Sequence, residues 1–465
     1  MKLLLWRIVA RVGHQLGMHW LLARFLAGMI DEIRPSEDGG PAAPSNDAVL
    51  TILALAPEEF RGDPELLAAE GSVKVLRLPE VWAYRLFYTY LPTSKVHRLI
   101  TNLHLFVKPA EGSKINLGKR RYRKFLELLL PRLYRHLGVN CVISHHIFFH
   151  PDIDLGAVSD KLGYPYFVLH REGVSGGPES FEYRGFLEML QPINGYGFEG
   201  SHMIVQNDLV RQLFVEAGVV RPDQASPLGT LRMDRFLKRN RFGAPSRRER
   251  RKLVLFPFMV GGHILKEDVN SVFRDVHKII IEFARDHPEY DVVIKPKGPD
   301  RWFRAWLNQA QPVFEELGID PEEIPGLTIR FDLDAQDLIL ESDVVCALNS
   351  TTMLEAGVAG KAVIVPYFGA LRNPFYDDRI YLRHELHNFD VAETVEAFRS
   401  LILQRMAAPD VDPEILAGRR SLFAQYVSGL DEEATDRYIS LMTRIVRLRT
   451  SSNTGAVIEA GALET

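Results

Sequence analysis

The stretch DLILESDVVCALNSTTMLEAGVAGKAVIVPYF, Asp337 to Phe368, decides the fold. Its apolar run, residues 344–348, ends in four small polar residues: Asn349, Ser350, Thr351 and Thr352. The chain resumes in a helical pattern with one acid, Glu355, and then a second apolar run, AVIVPYF. Continuous apolar runs without alternation predict strands covered on both faces, and a helix between two of them predicts a parallel βαβ unit.

The same grammar extends outward in both directions. KLVLFPFMV (252–260), YDVVIKP (290–296) and LTIRFD (327–332) read as further strands, with helices expected over 267–286 and 301–316. Upstream, AVLTILALA (48–56), SVKVLRLP (72–79), CVISHH (141–146), YFVLH (166–170) and HMIVQ (202–206) repeat the pattern. Two aromatic helical stretches over roughly 80–107, a basic amphipathic helix over 119–138 and a helix over 207–218 fill the gaps. The prediction is an α/β chain of two Rossmann-like domains, with helices after about 385.

A chain of 465 residues exceeds the size at which one core stops growing, which agrees with two domains. The divisions expected are an amphipathic segment 1–33, a Pro/Gly/Ser-rich linker 34–47 and a first domain 48–237. A basic crossing 238–251, a second domain 252–426, a crossing-back helix 427–449 and a flexible tail 450–465 follow. With 25% charged residues and a net charge of −4, no global field draws the chain to nucleic acid. Two cysteines, Cys141 and Cys346, lie in separate apolar runs and read as buried thiols of a reducing cytoplasm; no zinc site is expected.

In the first thirty residues Arg7 and Arg11 interrupt the apolar run, so neither a signal-peptide core nor a membrane span is expected. At helical spacing Leu4, Ile8, Val12, Leu16 and Trp20 share one side, and Arg7, Arg11 and His14 another. Two readings fit: a helix lying on anionic lipid, and a helix docked on the protein's own surface. The expected location is cytoplasmic, with at most a peripheral contact at the inner face of the membrane.

Open parallel sheets bind ligands outside the carboxyl ends of their strands, so two such domains are expected to face a shared cleft. In the second, strand 344–348 delivers Asn349, Ser350, Thr351 and Thr352 to a helix start, where N–H groups, the helix dipole and hydroxyls suit a phosphate. Glu355, one turn on, is placed to accept hydrogen bonds from a ribose, and Gly357 and Gly360 permit close backbone approach and a helix stop. An ordinary Ser/Thr cap with an acid three residues on would read the same way.

The block resembles the nucleotide-binding half of GT-B glycosyltransferases, in particular bacterial surface-polysaccharide enzymes related to the Kdo transferases and CDP-glycerol glycerophosphotransferases. Asp337, Leu338, Asp343, Ser350, Thr351, Thr352, Glu355, Gly360, Lys361, Val363 and Ile364 fit that group's pattern. YDVVIKPKGP, LGTLRMDRF (228–236) and GLDEEATDRYISLM (429–442) resemble its other segments, so the likeness spans roughly residues 160–445. It implies a GT-B arrangement with C-terminal helices crossing back. The implied activity is transfer of a sugar from a nucleotide-activated donor to a cell-envelope glycan or glycolipid, with no cofactor beyond the donor and no metal.

Departures from the pattern matter. Lys297-Gly298 stands where the group has His-Pro, so Lys295 and Lys297 are expected to supply positive charge to the leaving phosphate. Ala347 stands where many retaining enzymes carry a first acid. Gly261 and Gly262 allow close phosphate approach, and His263 could pair with the phosphate. In the first domain Glu172 is the expected general base. Arg171 pairs with it, His170 supports the loop, and His145 or His146 touches the acceptor. Rival readings are a glycerophosphotransferase, a non-hydrolysing UDP-sugar 2-epimerase and a non-catalytic nucleotide- or lipid-binding scaffold.

Overall fold

The computed structural model describes residues 3–34, 50–56, 60, 62–91, 106–174, 176–193, 195–242, 249–258, 260, 265–298 and 300–461. The chain divides into two compact units, residues 1–173, 186–234 and 431–465 forming one and 174–185 with 235–430 the other.

The first unit holds a seven-stranded sheet. Its strands are β1 (Asp31–Glu32), β2 (Leu50–Leu55), β3 (Val73–Leu78), β4 (Cys141–Ser144), β5 (Tyr166–Leu169), β6 (His202–Val205) and β7 (Ala225–Pro227). The order is β1-β3-β2-β4-β5-β6-β7. All neighbours are parallel except the β1–β3 edge pair, and Ile52 lies between Val75 and Cys141 in register. The order runs outward from β2 to β3, then returns to place β4 on the other side of β2, so β2 and β4 flank the switch point. Strands β4, β5 and β6 are buried along their whole length, as their uninterrupted apolar sequence predicts.

Helices α1 (Leu3–Gln15) and α2 (His19–Ala27) open the chain, followed by α3 (Asp63–Ala69), α4 (Glu80–Phe87) and α5 (Lys114–Leu137). The docked-helix reading of the N-terminus holds for one face. Trp6 is fully buried, its indole N–H donating to Arg85 O (2.9 Å) and Thr89 Oγ1 (3.0 Å), and Arg11 Nε donates to Thr89 O at 2.7 Å. Helix α5 begins at Lys114, five residues before the expected start, and is capped by Ser113, whose hydroxyl accepts from Asn116 N. Residues 35–47 of the expected linker 34–47, and most of the second aromatic stretch before 106, lie outside the described residues.

Helices α6 (His150–Lys161), α7 (Phe181–Leu190), α8 (Asp208–Glu216) and α9 (Leu231–Phe242) come next. The second unit's sheet has β8 (Lys252–Phe256), β9 (Asp291–Ile294), β10 (Leu327–Ile329), β11 (Val344–Ala347), β12 (Ala362–Pro366) and β13 (Asp390–Ala392). It is parallel throughout, in the order β10-β9-β8-β11-β12-β13. Its helices are α10 (Asn270–Asp286), α11 (Asp300–Leu317), α12 (Ala335–Glu341), α13 (Thr352–Val358), α14 (Val395–Ala407) and α15 (Pro413–Tyr426). On α10 the residues Val272, Phe273, Val276, Ile280 and Phe283 are buried at helical spacing. His277 shares that face. Its Nδ1–H donates to Phe273 O (2.7 Å) and its Nε2 accepts the Trp306 indole N–H (3.0 Å), so both ring nitrogens are satisfied. Burial holds its pKa down to about 4, and the ring stays neutral.

The described ends of the basic crossing, 238–242 and 249–251, are more ordered than its composition predicts; 243–248 lie outside the described residues. Helix α9 runs through Phe242, Arg239 pairs with Asp337, and Arg250 donates to Tyr290 O and faces Asp291 at 3.4 Å. Arg251 donates to Met406 O and Ala407 O, and Lys252 pairs with Glu341 at 2.7 Å. These cations are engaged by the second unit itself.

The last helix, α16 (Ala434–Gly461), belongs to the first unit. Tyr438, Leu441 and Met442 enter the core formed by Ile52, Val75, Ile143 and Phe167. The flexible tail expected from Thr450 is corrected: the helix continues through Gly461. The short strands β1, β7 and β13, with three or fewer residues each, escaped the sequence reading. The segment 228–236 receives this helix. Asp234, 5% exposed, accepts from Ala434 N (3.2 Å), Thr435 N (2.7 Å) and Thr435 Oγ1 (2.8 Å), and Tyr438 Oη donates to Gly229 O (2.9 Å). Asp234 therefore caps a helix two hundred residues away in sequence. Asp234→Ala is expected to cost about 1–2 kcal/mol, the usual loss for an N-cap carboxylate, read as a lower urea midpoint. An unchanged midpoint would mean that apolar packing alone docks α16.

Candidate functional site

In the second sheet β8 and β11 are neighbours although β9 and β10 lie between them in sequence. The strand order reverses there, which makes the carboxyl ends of β8 and β11 the switch point where open α/β sheets hold ligands. The turn 349–352 leaves β11 at this point. The loop after β8 contains Gly261, Gly262 and His263, which lie outside the described residues. Next along the same edge, Lys295 and Lys297 follow the end of β9.

Asn349 shapes the turn. Its backbone is left-handed, φ +49°, a conformation that asparagine tolerates better than most residues. Its Nδ2 donates to Arg379 O (2.9 Å) and its Oδ1 accepts from Tyr381 N (2.9 Å). The side chain expected at a phosphate thus clamps a distant segment to the strand end. Ser350, Thr351 and Thr352 are half-buried, and Thr352 Oγ1 donates to Ser350 Oγ at 2.8 Å. The amides of Thr352, Met353 and Leu354 are bonded within the turn, to Ser350 Oγ, Ser350 O and Thr351 O. Hydroxyls, more than helix-start N–H groups, are what this turn offers an anion, and α13 has only seven residues.

Glu355 is buried at 5% exposure in the first turn of α13, so a ribose contact requires the nucleotide to reach into the junction. Gly357 serves a different purpose from the expected ligand approach. A Cβ there would stand 3.3 Å from Arg419 Cδ, so α15 packs where a side chain would be. Arg419 is itself buried and donates to Asn388 O (2.6 Å) and Lys361 O (2.8 Å); burial lowers its pKa to about 10. Gly360, φ +75°, ends the helix as expected.

Lys295 is half-buried, its Nζ donating to Phe331 O at 3.3 Å. Burial pushes its pKa below the ordinary lysine value, while Asp334 and Asp332 oppose the shift. Lys297 is exposed, its ammonium 5.9 Å from the Trp302 ring centre. Two cations of different character therefore stand on one strand end.

The segment clamped by Asn349 was missed in the sequence, where the polar run DDRIYLRHE (377–385) lies beyond the last strand considered. With residues 176–182 it encloses a cavity of about 100 Å³, whose walls include Glu179, Phe181, Tyr381, Arg383 and His384. Arg379 lies over the Phe181 ring at 3.7 Å, and Tyr381 Oη donates to Glu182 at 2.9 Å. The charged dipeptides on either side of aromatic residues were the available signal.

In the first unit the expected acceptor-side residues gather at the carboxyl ends of β4 and β5. The His146 ring lies 5.0 Å from that of His170 and 6.2 Å from that of His145. Phe148 N–H donates to His146 Nδ1 at 3.1 Å, which leaves the ring proton on Nε2. Burial, then His146 and Arg171, lower the His145 pKa to about 3. Burial with Arg171 and His150 outweighs Glu172 and lowers His146 to about 4. Burial also holds His170 well below its ordinary value. His145 Nδ1 and His170 Nδ1 are buried without a hydrogen-bond partner, so this edge has unused polar capacity. Arg171 Nε faces Glu172 Oε1 at 3.6 Å, with half the Glu172 side chain exposed, and Gln206 Nε2 donates to Arg171 O. Among the described residues, no three His, Cys, Asp or Glu side chains are grouped to hold a metal ion.

No protein-family model matches the chain, and no curated protein matches it in sequence. Similar solved structures include a UDP-GlcNAc 2-epimerase from Neisseria meningitidis bound to UDP-GlcNAc: 11% identity, 85% of this chain and 100% of that one, TM-score 0.44. S. aureus MnaA with UDP gives 12% identity over 86% of this chain and 96% of that one, TM-score 0.44. An alpha,alpha-trehalose-phosphate synthase (UDP-forming) from Burkholderia vietnamiensis gives 11%, 84%, 99% and 0.43.

Asn349→Gly tests the clamp, because glycine keeps the left-handed backbone and removes only the two side-chain hydrogen bonds. With about 1–2 kcal/mol of local stabilisation lost, amide exchange over 377–383 should quicken roughly tenfold. Unaltered exchange would show that the segment is held by other contacts.

Proposed function

We propose that the chain transfers a sugar from a nucleotide-activated donor to a growing cell-envelope glycan, the activity implied by its resemblance to surface-polysaccharide glycosyltransferases. The observation that carries this reading is the hydroxyl-rich turn 350–352 at the switch point of the second sheet, with Lys295 and Lys297 along the same edge. Hydroxyls and cations grouped at such an edge suit the phosphates of a nucleotide.

In the reaction the acceptor hydroxyl oxygen bonds to the anomeric carbon as the bond from that carbon to the donor phosphate breaks. The electron pair leaves with the nucleotide, and the acceptor proton passes to the base. Lys295, Lys297 and the hydroxyls of Ser350 and Thr351 meet the charge that grows on the leaving phosphate. His263 and the Gly261-Gly262 backbone complete that group in this reading. Glu172 is the base in this reading: its side chain is half exposed and open to an acceptor, whereas the His145 and His146 rings are buried and held at about 3 and 4. His146, with its proton on Nε2, and His145 orient the acceptor. Two free buried thiols fit a reducing compartment, so the enzyme would act from the cytoplasmic side and reach its acceptor by peripheral contact with the membrane.

Thr351→Val keeps the shape of the turn and removes a hydroxyl. Donor affinity by calorimetry should fall by roughly 1–3 kcal/mol. Glu172→Gln should leave donor binding intact and lower turnover roughly 10²–10⁴-fold. Full turnover in the second variant would move the base to His145 or His146. Release of epimerised sugar in the absence of any acceptor would replace transfer with 2-epimerisation.

A further inference from the structure

Helices α1 and α2 dock through Trp6, Ala10, Leu22 and Leu26 and turn the opposite face outward. On that face Leu4 is 70% exposed, Leu16 67% and Trp20 57%, with Ile8, Val12 and Phe25 exposed beside them. Nine exposed large apolar side chains fall between Leu4 and Phe25. A patch this dense is rarely left to water, and a tryptophan within it suits the boundary between water and lipid.

Helix α5 packs along α2 and adds a second stripe. Leu117, Arg121, Lys124, Leu128, Arg132 and Arg135 are all exposed, at a spacing that returns to one side of the helix every turn. The two stripes are adjacent. The His14 and His19 rings lie 5.6 Å and 6.4 Å from that of Phe125 on α5. Both imidazoles are held below their ordinary pKa, first by burial, then by electrostatic opposition from neighbours: Lys124 for His14, and the His14 ring with Arg132 for His19. Residues 1–30 and α5 together carry twelve Lys and Arg against one acid, Glu127, in a chain whose net charge is −4. Glu127 is paired with Lys161 at 2.6 Å.

We infer that α1, α2 and α5 form one docking surface for an anionic lipid bilayer, the apolar stripe entering the headgroup region and the α5 cations meeting lipid phosphates. The sign of the charge selects lipid over a second copy of the chain, because a two-fold pairing would set the cationic rim against itself. Among the described residues no helix is long and apolar enough to cross a membrane, so the contact lies in the plane of the interface. This surface belongs to the first unit and the donor turn to the second, and vesicle binding can be measured without nucleotide.

The experiment is flotation of the full chain with vesicles of phosphatidylcholine, alone or with phosphatidylglycerol. The intact protein should float with the anionic vesicles, less so as salt is raised. Arg121→Gln/Lys124→Gln/Arg132→Gln should reduce that binding roughly a hundredfold, at about fivefold per cation. Leu4→Ser/Leu16→Ser/Trp20→Ser should reduce it by roughly tenfold or more, with an unchanged circular-dichroism melt because all three side chains are exposed. In the unsubstituted chain, brominated lipid should quench a fluorescence component that Trp20→Phe removes. Binding that ignores both sets of substitutions would overturn the inference. So would failure to float combined with a dimer that the serine variant dissociates.

Discussion

A strand covered on both faces has no side chain to offer a ligand, and this constraint arranges the rest of the molecule. Strands β4 and β11 are buried throughout, and each carries a cysteine whose thiol burial pushes far above its ordinary pKa, so neither is a nucleophile. Polar chemistry is left to the carboxyl ends. In the first sheet the histidines follow β4, which borders the switch point with β2; in the second the Ser/Thr turn follows β11, which borders it with β8. Two unrelated sets of residues thus occupy equivalent positions because the topology leaves the same opening in both sheets.

Much of the fold was legible because buried parallel strands are written as unbroken Val/Ile/Leu runs. CVIS, YFVL, HMIV and VVCA are all strands in the structure. What escaped was either short or dependent on distant partners. Strand β13 has three residues, and the helical continuation to Gly461 follows a polar sequence that resembles a tail. The candidate site was legible by position and less so by role. Asn349 and Gly357 stand where a ligand-binding pattern would place them, yet they hold residues 379–381 and Arg419. A motif shows which residues surround a turn; the partners that claim their polar atoms come from segments far away in sequence.

The charge of the chain shows the same division between composition and placement. The basic crossing has the composition of a solvated linker, but Arg239, Arg250, Arg251 and the adjoining Lys252 are engaged by the second unit's own carboxylates and carbonyls. Lys119 and Arg123 of α5 likewise turn inward to Asp154, at 3.0 Å and 2.6 Å. Arg121, Lys124, Arg132 and Arg135 of the same helix are exposed along its outer line, beside the apolar stripe of α1 and α2. A net charge of −4 conceals this local excess.

In the proposed function a nucleotide donor sits at the switch point of the second sheet. Hydrogen exchange of the full chain with and without UDP, GDP, CDP and CMP tests it most directly. One of these should slow exchange in peptides covering 348–356 and 294–298, because a bound phosphate orders the turn and the strand end. Protection confined to 144–149 and 169–173, or none with any nucleotide, would contradict it.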